Sequence, residues 1–329
     1  MPRFSTNSAF VSAPLVRLIQ RQEYYFDPRE LADEMKSLRA EVDKESEARC
    51  KKKRDGIMQH ASEGFKLAVK AASEKGASSW VTACPSYEHG TVLHKRDFVD
   101  ACYIRYGWVL LDLPVTCACG TAFNVEHALN CKLGGLRNIQ HNEVRDTIAQ
   151  CMQEAGHTAV EVEPRLQPLE GEVFEYKSAN KEEEARSDIK CCGFWSKMRQ
   201  AYFDIKVVSP FARSNAQLEP AQLFRNAERA KIREYKERIQ EVERADFNPL
   251  VFTCTGGMAP QSHLVMKKLA EKLSEKQNIH VSVVSGWLRC RLSFALLRTT
   301  LLCIRATRCK KMVIENNIEL AVAVTRMDS

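Results

Sequence analysis

Three cysteines and a histidine, Cys117, Cys119, His127 and Cys131, are spaced C-x-C-x7-H-x3-C. Zinc in structural sites takes four soft or borderline ligands in a tetrahedron, and three thiolates with one imidazole are a standard set. Two cysteines one residue apart can share an ion across a tight turn, where Gly120 supplies a permissive backbone. His127 and Cys131 are four apart, so on one helical turn both face the same point. Pro114 before the motif and Gly134-Gly135 after it bracket a compact unit. His141, close downstream, offers a substitute ligand. Buried thiols beside a surface histidine are the alternative reading. A closed four-ligand site stabilises a fold and does no chemistry itself.

A second constellation consists of Asp188, in Arg186-Ser187-Asp188-Ile189, and Asp204 with Lys206, in Phe203-Asp204-Ile205-Lys206-Val207. In a strand, residues two apart project from one face, so Asp204 and Lys206 point together while Phe203, Ile205 and Val207 face a core. With Asp188 on a neighbouring antiparallel strand, the two carboxylates can share Mg²⁺ or Mn²⁺, hard ions that prefer oxygen. Such an ion polarises a phosphodiester oxygen and activates water, and Lys206 would orient that water or stabilise the transition state. Glu163 and Glu143 are the candidates to complete the set. A salt-bridged sheet face is the alternative reading of the same residues.

The elements that must position these groups follow from periodicity. Residues 139–155 read as a helix with Ile139, Val144, Ile148 and Met152 on one face. Residues 158–163, 185–190 and 201–208 read as three strands, and 217–244 as a long amphipathic helix. A short buried strand at 249–254 and helices at 261–276 and 284–305 complete the order. A strand meander followed by a helical crossover gives an α/β (α+β) fold, a mixed sheet flanked by helices. Upstream, residues 1–78 form a charged helical region in which Arg49 to Arg54 reads as a solvated helix face. Residues 79–135 combine the cysteine–histidine motif with an aromatic run, Trp80, Tyr87, Phe98, Tyr103, Tyr106 and Trp108, expected to be core. The sheet and C-terminal helix occupy 136–311, with a tail at 312–329. The last helix mixes apolar and basic residues from Trp287 to Lys311 and is expected to pack on the sheet with its arginines at the rim.

Composition bounds the partners. Hydrophobic residues make up 44% of the 329, enough for one large domain or two modest ones. The net charge of +7 permits a polyanionic partner without requiring one. Thirteen irregularly spaced cysteines point to reduced thiols in an intracellular compartment, some of them free for metal. The N-terminus lacks an apolar core with a cleavage site, and no apolar stretch is long enough for a membrane span.

Taken together, these residues resemble the PD-(D/E)xK superfamily with its restriction-endonuclease-like core. More narrowly, they resemble the restriction-like endonuclease region that follows reverse transcriptase in some non-long-terminal-repeat retrotransposons and related invertebrate elements. The resemblance is carried by Ser79-Trp80-Val81, residues 98–113, Cys131 to Gly135, and His141 to Asp146. Glu163-Pro164, Arg186 to Ile189, and Phe203 to Val207 continue it. It implies a CCHC zinc knuckle ahead of a nuclease core that nicks DNA. Asp188 takes the first acidic position, and Asp204 and Lys206 form the D-x-K half. Ser187 stands where the family has proline, and no Tyr/Phe-x-Asp-Asp pair of a polymerase is present.

The expected function is a Mg²⁺- or Mn²⁺-dependent DNA endonuclease with structural zinc, located in the nucleus. Arg145, Lys190, Lys197 and Arg199 are its candidate backbone contacts. A non-catalytic nucleic-acid-binding zinc protein, acting on DNA or RNA, or an inactive remnant, is the alternative.

Overall fold

The computed structural model describes residues 28–306 and Arg308. The chain divides between Glu63 and Gly64 into two units. In the first, α1 (Pro28–His60) is a single helix whose side chains are mostly exposed. The basic run from Arg49 to Arg54 lies on its solvated surface, as expected. The expected tail at 312–329 and the lysines at 310 and 311 lie outside the described residues.

The second unit opens one residue into α2 (Glu63–Ser73), which is followed by α3 (Lys95–Arg105) and the short α4 (Val125–Asn130). Helix α5 (Leu136–Glu154) follows, starting at Gly135, whose φ of 65° favours glycine. The sheet comes next, in the order β1 (Thr158–Val162), β2 (Ile189–Cys192), β3 (Gln200–Val208) and β4 (Asp246–Thr253). The first three strands form an antiparallel meander, and β4 runs parallel to β3 from Ala201↔Asp246 to Val208↔Thr253.

Parallel neighbours need a crossover. It is supplied by α6 (Pro220–Lys231), a π-helical turn at Ile232–Lys236, and α7 (Glu237–Glu241). Proline in the first turn of α6 and of α8 (Pro260–Gln277) costs no hydrogen bond, because those N–H groups are unpaired anyway. Left-handed Asn278 ends α8 before α9 (Val281–Arg305).

The alternation in β3 separates the layers. Ala201, Phe203, Ile205 and Val207 enter the main core with Val144, Ile148 and Met152 of α5 and Val265, Leu269 and Leu273 of α8. Tyr202 and Val208 point to the other face, where Tyr235, Ile239, Leu223 and Phe224 of the crossover cover them. The result is a four-stranded mixed sheet flanked by helices.

Three expectations are corrected. The strand expected at 185–190 begins only at Ile189. Just before it, side chains replace the ladder: Ser187 Oγ donates to Phe203 O at 3.0 Å, and Asp188 accepts from Ile205 N. Of the aromatic run, only Trp80 is buried, while Tyr87, Phe98, Tyr106 and Trp108 are exposed. The long connections at 74–94 and 106–124 that flank α3 supply no helix or strand to cover them, and Trp108 meets Tyr103 edge-on and Tyr106 at a tilt instead, at 5.4 and 5.1 Å. Helix α9 packs against α5 and α8 rather than on the sheet. Its arginines do sit outward, with Arg291 on Glu154 and Arg298 on the carbonyls of Gly90 and Val92.

Candidate metal cluster and carboxylate cleft

The cysteine–histidine motif closes into a cluster in which the ligand atoms of Cys117, Cys119, His127 and Cys131 all lie within 4.8 Å of one another. Gly120, at φ 89°, turns the chain between the first pair and the rest. Asn124 caps α4 by accepting from His127 N at 2.8 Å, and Cys131 ends that helix. The Sγ atoms of Cys117 and Cys131 are 3.8 Å apart, and Cys119 Sγ is 3.3 Å from His127 Nε2. With Zn–S bonds of about 2.3 Å, a tetrahedron requires edges of roughly 3.8 Å between sulfurs and slightly less between sulfur and nitrogen. The cluster therefore has the size and chemistry to hold a metal such as zinc. Hydrogen bonds to Thr121 bring the Cys119 thiol down to about 6, toward the thiolate a metal needs, while burial raises that of Cys131. Among the described residues this is the sole group of three or more metal-ligating side chains so assembled.

The carboxylates lie at the point where β2 begins. Its register with β3 runs from Cys192↔Gln200 to Ile189↔Phe203, which carried one residue further sets Asp188 opposite Asp204. Past Phe203, the β3 edge on this side has no strand partner, and the Asp188 carboxylate caps it: Oδ2 accepts from Ile205 N at 2.5 Å. The other oxygen, Oδ1, lies 2.8 Å from His141 Nε2 on α5.

Asp204 is buried at 4% exposure. Lys231 Nζ sits 3.0 Å from its Oδ2 and 3.2 Å from Glu234 Oε2, but the approach is off the hydrogen-bond direction, so that oxygen has no well-directed donor. Burial first, then the charge of Asp188, pushes the Asp204 carboxyl up to about 7 against the pull of Lys231. Burying a carboxylate costs several kcal/mol even after relaxation, about what two or three large apolar side chains return at roughly 1.5–3 kcal/mol each. Phe203, Ile205 and Val207 flank Asp204 on the same strand. Burial, followed by the repulsion of Lys231, lowers the pKa of Lys206.

Beyond the unpaired β3 edge opens a cleft of about 570 Å³, bordered by Lys132, Arg137, His141, Lys206, Lys231 and Glu234. The π turn places Glu234 at its rim, and such turns are frequent at functional sites.

Compared with known proteins, the sequence matches no protein-family model and no curated protein.

The remaining candidates from the sequence are placed as follows. Glu163, at φ 52°, donates its N–H to Asp188 O at 2.9 Å, but its carboxylate is taken by Arg145. Glu143 is exposed on another side of α5, with Asp146 and Arg298 as its charged neighbours. Arg145 is buried and bound to Asp146 and Glu163, which removes it as a phosphate contact. Lys190 pairs with Glu161 at 2.7 Å across β1–β2. Lys197 lies in the β2–β3 hairpin and Arg199, beside it, pairs with Asp246 at 2.8 Å. At about 3.3 Å per strand residue, that turn is some five residues and roughly 16 Å from Asp204.

His141 is absent from the cysteine cluster and stands on Asp188 instead. Lys231 and Arg137 went unnoticed in the sequence. The available signal for α5 was that His141 and Arg145, four apart, interrupt its apolar face. No helix among the described residues is long and apolar enough to cross a membrane.

Proposed function

We propose that this chain is a divalent-metal-dependent endodeoxyribonuclease with a restriction-endonuclease-like core and a structural zinc cluster. The observation that carries the reading is that the β2–β3 register sets Asp188 opposite the buried Asp204, with Lys206 two residues further along the same strand on the wall of a basic cleft. The order helix, three-strand meander, crossover helix and parallel strand supports it.

Two carboxylates suit Mg²⁺ or Mn²⁺, which commonly take one or two such ligands and complete their shell with water and substrate phosphate. Asp204 Oδ2 already faces a cation, the Lys231 ammonium, and lacks a directed donor, as a metal-binding oxygen would. When bound, the ion would polarise a phosphodiester oxygen and lower the pKa of a water. The chain's own groups do the rest. His141 and Ile205 N–H fix the Asp188 carboxylate in orientation. Lys206, half-buried on the cleft wall, offsets negative charge developing on the phosphate oxygens. Glu163 holds Arg145 and thereby the α5 side of the site. A nuclear location goes with a DNA substrate.

The Lys231–Asp204 ion pair favours a second reading, in which a lysine has replaced the metal and the chain binds nucleic acid without cutting it. Nicking of supercoiled plasmid by the full chain with Mg²⁺ or Mn²⁺ separates the two. We expect metal-dependent nicking that disappears in Asp204→Asn and Lys206→Ala. Equal traces of nicking in the parent and in Asp204→Asn would sink the nuclease reading, and salt-sensitive binding without nicking would establish the second.

A further inference from the structure

Three of the four cations that border the cleft beside the carboxylates have no ion-pair partner among the described residues. Lys132, Arg137, Lys206 and Lys231 border it, against Glu234 as its one acidic wall residue. Lys231 is shared between Asp204 and Glu234. Lys132, Arg137 and Lys206 make no salt bridge and no side-chain hydrogen bond among the described residues, although acidic groups partner most basic residues elsewhere around the sheet. Like charges gathered in one concavity repel one another, and their collection without counter-charges stabilises the fold only when an anion enters.

Backbone geometry adds to the side chains. Helix α5 begins at the cleft, with Gly135, Arg137 and Asn138 on the wall, and no side chain caps its first turn. Asn138 N already donates to Gly135 O, and the N–H groups of Leu136 and Arg137 ahead of it remain available to an anion. The unpaired β3 edge at Ile205 to Val207 forms the opposite wall, so the groove is open along its length.

The metal cluster sets the near end. Cys131 is a cluster residue, Lys132 borders the cleft, and Gly134 and Gly135, both left-handed, turn the chain directly into α5. Only five residues thus separate Cys131 from Arg137, so the cluster fixes two of the cations.

We propose that this cleft holds backbone phosphates of a nucleic acid, with Lys132, Arg137 and Lys206 as the contacts. It deepens the nuclease reading by naming where the substrate lies, and it places the contacts away from Lys190, Lys197 and Arg199.

The test is fluorescence anisotropy of the full chain with a short labelled DNA duplex across a salt series, in the absence of added divalent metal. Lys132 and Arg137 are exposed, so Lys132→Ala and Arg137→Ala leave the core intact. Each is expected to weaken binding and to reduce the slope of log affinity against log salt by about 0.9, the value for one phosphate no longer neutralised. Lys197→Ala, at the far hairpin, is the control and keeps the parent slope. The basic run on α1 is common to all variants, so the differences report the cleft alone. Parent affinity and slope in both cleft variants would overturn the proposal. Because no cutting is required, a chain that fails to nick plasmid can pass this test, and one that nicks can fail it.

Discussion

Each oxygen of the Asp188 carboxylate is fixed by a different element: Oδ1 lies 2.8 Å from His141 Nε2 of α5, and Oδ2 accepts from Ile205 N of β3 at 2.5 Å. The carboxylate that immediately precedes β2 is thus held between a helix on one face of the sheet and the strand beside it. Its orientation depends on α5 staying where the main core seats it, through Val144, Ile148 and Met152.

His141 therefore acts through Asp188, as a positioning residue. Under the nuclease reading, His141→Ala is expected to lower the nicking rate about 10–100-fold, the usual cost of losing a group that orients a metal ligand. KM should change little. His141→Gln, whose amide nitrogen approximates the position of Nε2, should recover part of the rate. A parent rate in His141→Ala would remove the role.

The cysteine–histidine cluster should bring about one zinc ion per chain through purification. Cys131→Ser is expected to lose that zinc and to lower Tm by roughly 10 °C, the shift that about 4 kcal/mol produces at this size. Cys84→Ser, at an exposed thiol outside the cluster, should keep both zinc and Tm. Metal analysis beside thermal melting reads both quantities, and full zinc occupancy in Cys131→Ser would dismiss the site.

His157 predicts an acid-sensitive stability. Its ring stacks on Phe194 at 4.9 Å, and its Nδ1 lies 3.0 Å from Lys272 Nζ. Burial, then the charge of Lys272, depresses its pKa to about 4. A proton therefore binds the unfolded chain more readily than the folded one between about pH 6.5 and 4. The contribution is complete above pH 6.5 and is lost as pH falls, by up to about 3 kcal/mol. Urea unfolding across that range should show a flatter decline in His157→Gln than in the parent. Identical slopes would show that the ring is not the sensor.

Local pattern made much of this legible. The alternation in Phe203 to Val207 located β3 and the shared face of Asp204 and Lys206, and the ligand spacing located the metal cluster. What escaped was set by contacts between distant segments. His141 meets Asp188 across 47 residues, and Lys231 meets Asp204 from the crossover helix. Arg145 reads as a free cation until β1 brings Glu163 to it. The exposed aromatics from Tyr87 to Trp108 show the same gap, since composition says that a ring can be buried but not whether any element will cover it.

The π turn at Ile232–Lys236 gives the crossover helix an unusual tolerance. Such a turn holds one residue more than the α-helical turn it replaces. Elsewhere in a helix, deleting one residue rotates everything downstream by about 100° and exposes its buried face. Here the same deletion would leave an unbroken α-helix, with Leu223 and Phe224 at one end and Ile239 at the other still facing the sheet. The position of Glu234 at the cleft rim would be lost, but not the scaffold. Chain length can therefore vary by one residue at this point, next to the chemistry, without unseating the layer that covers it.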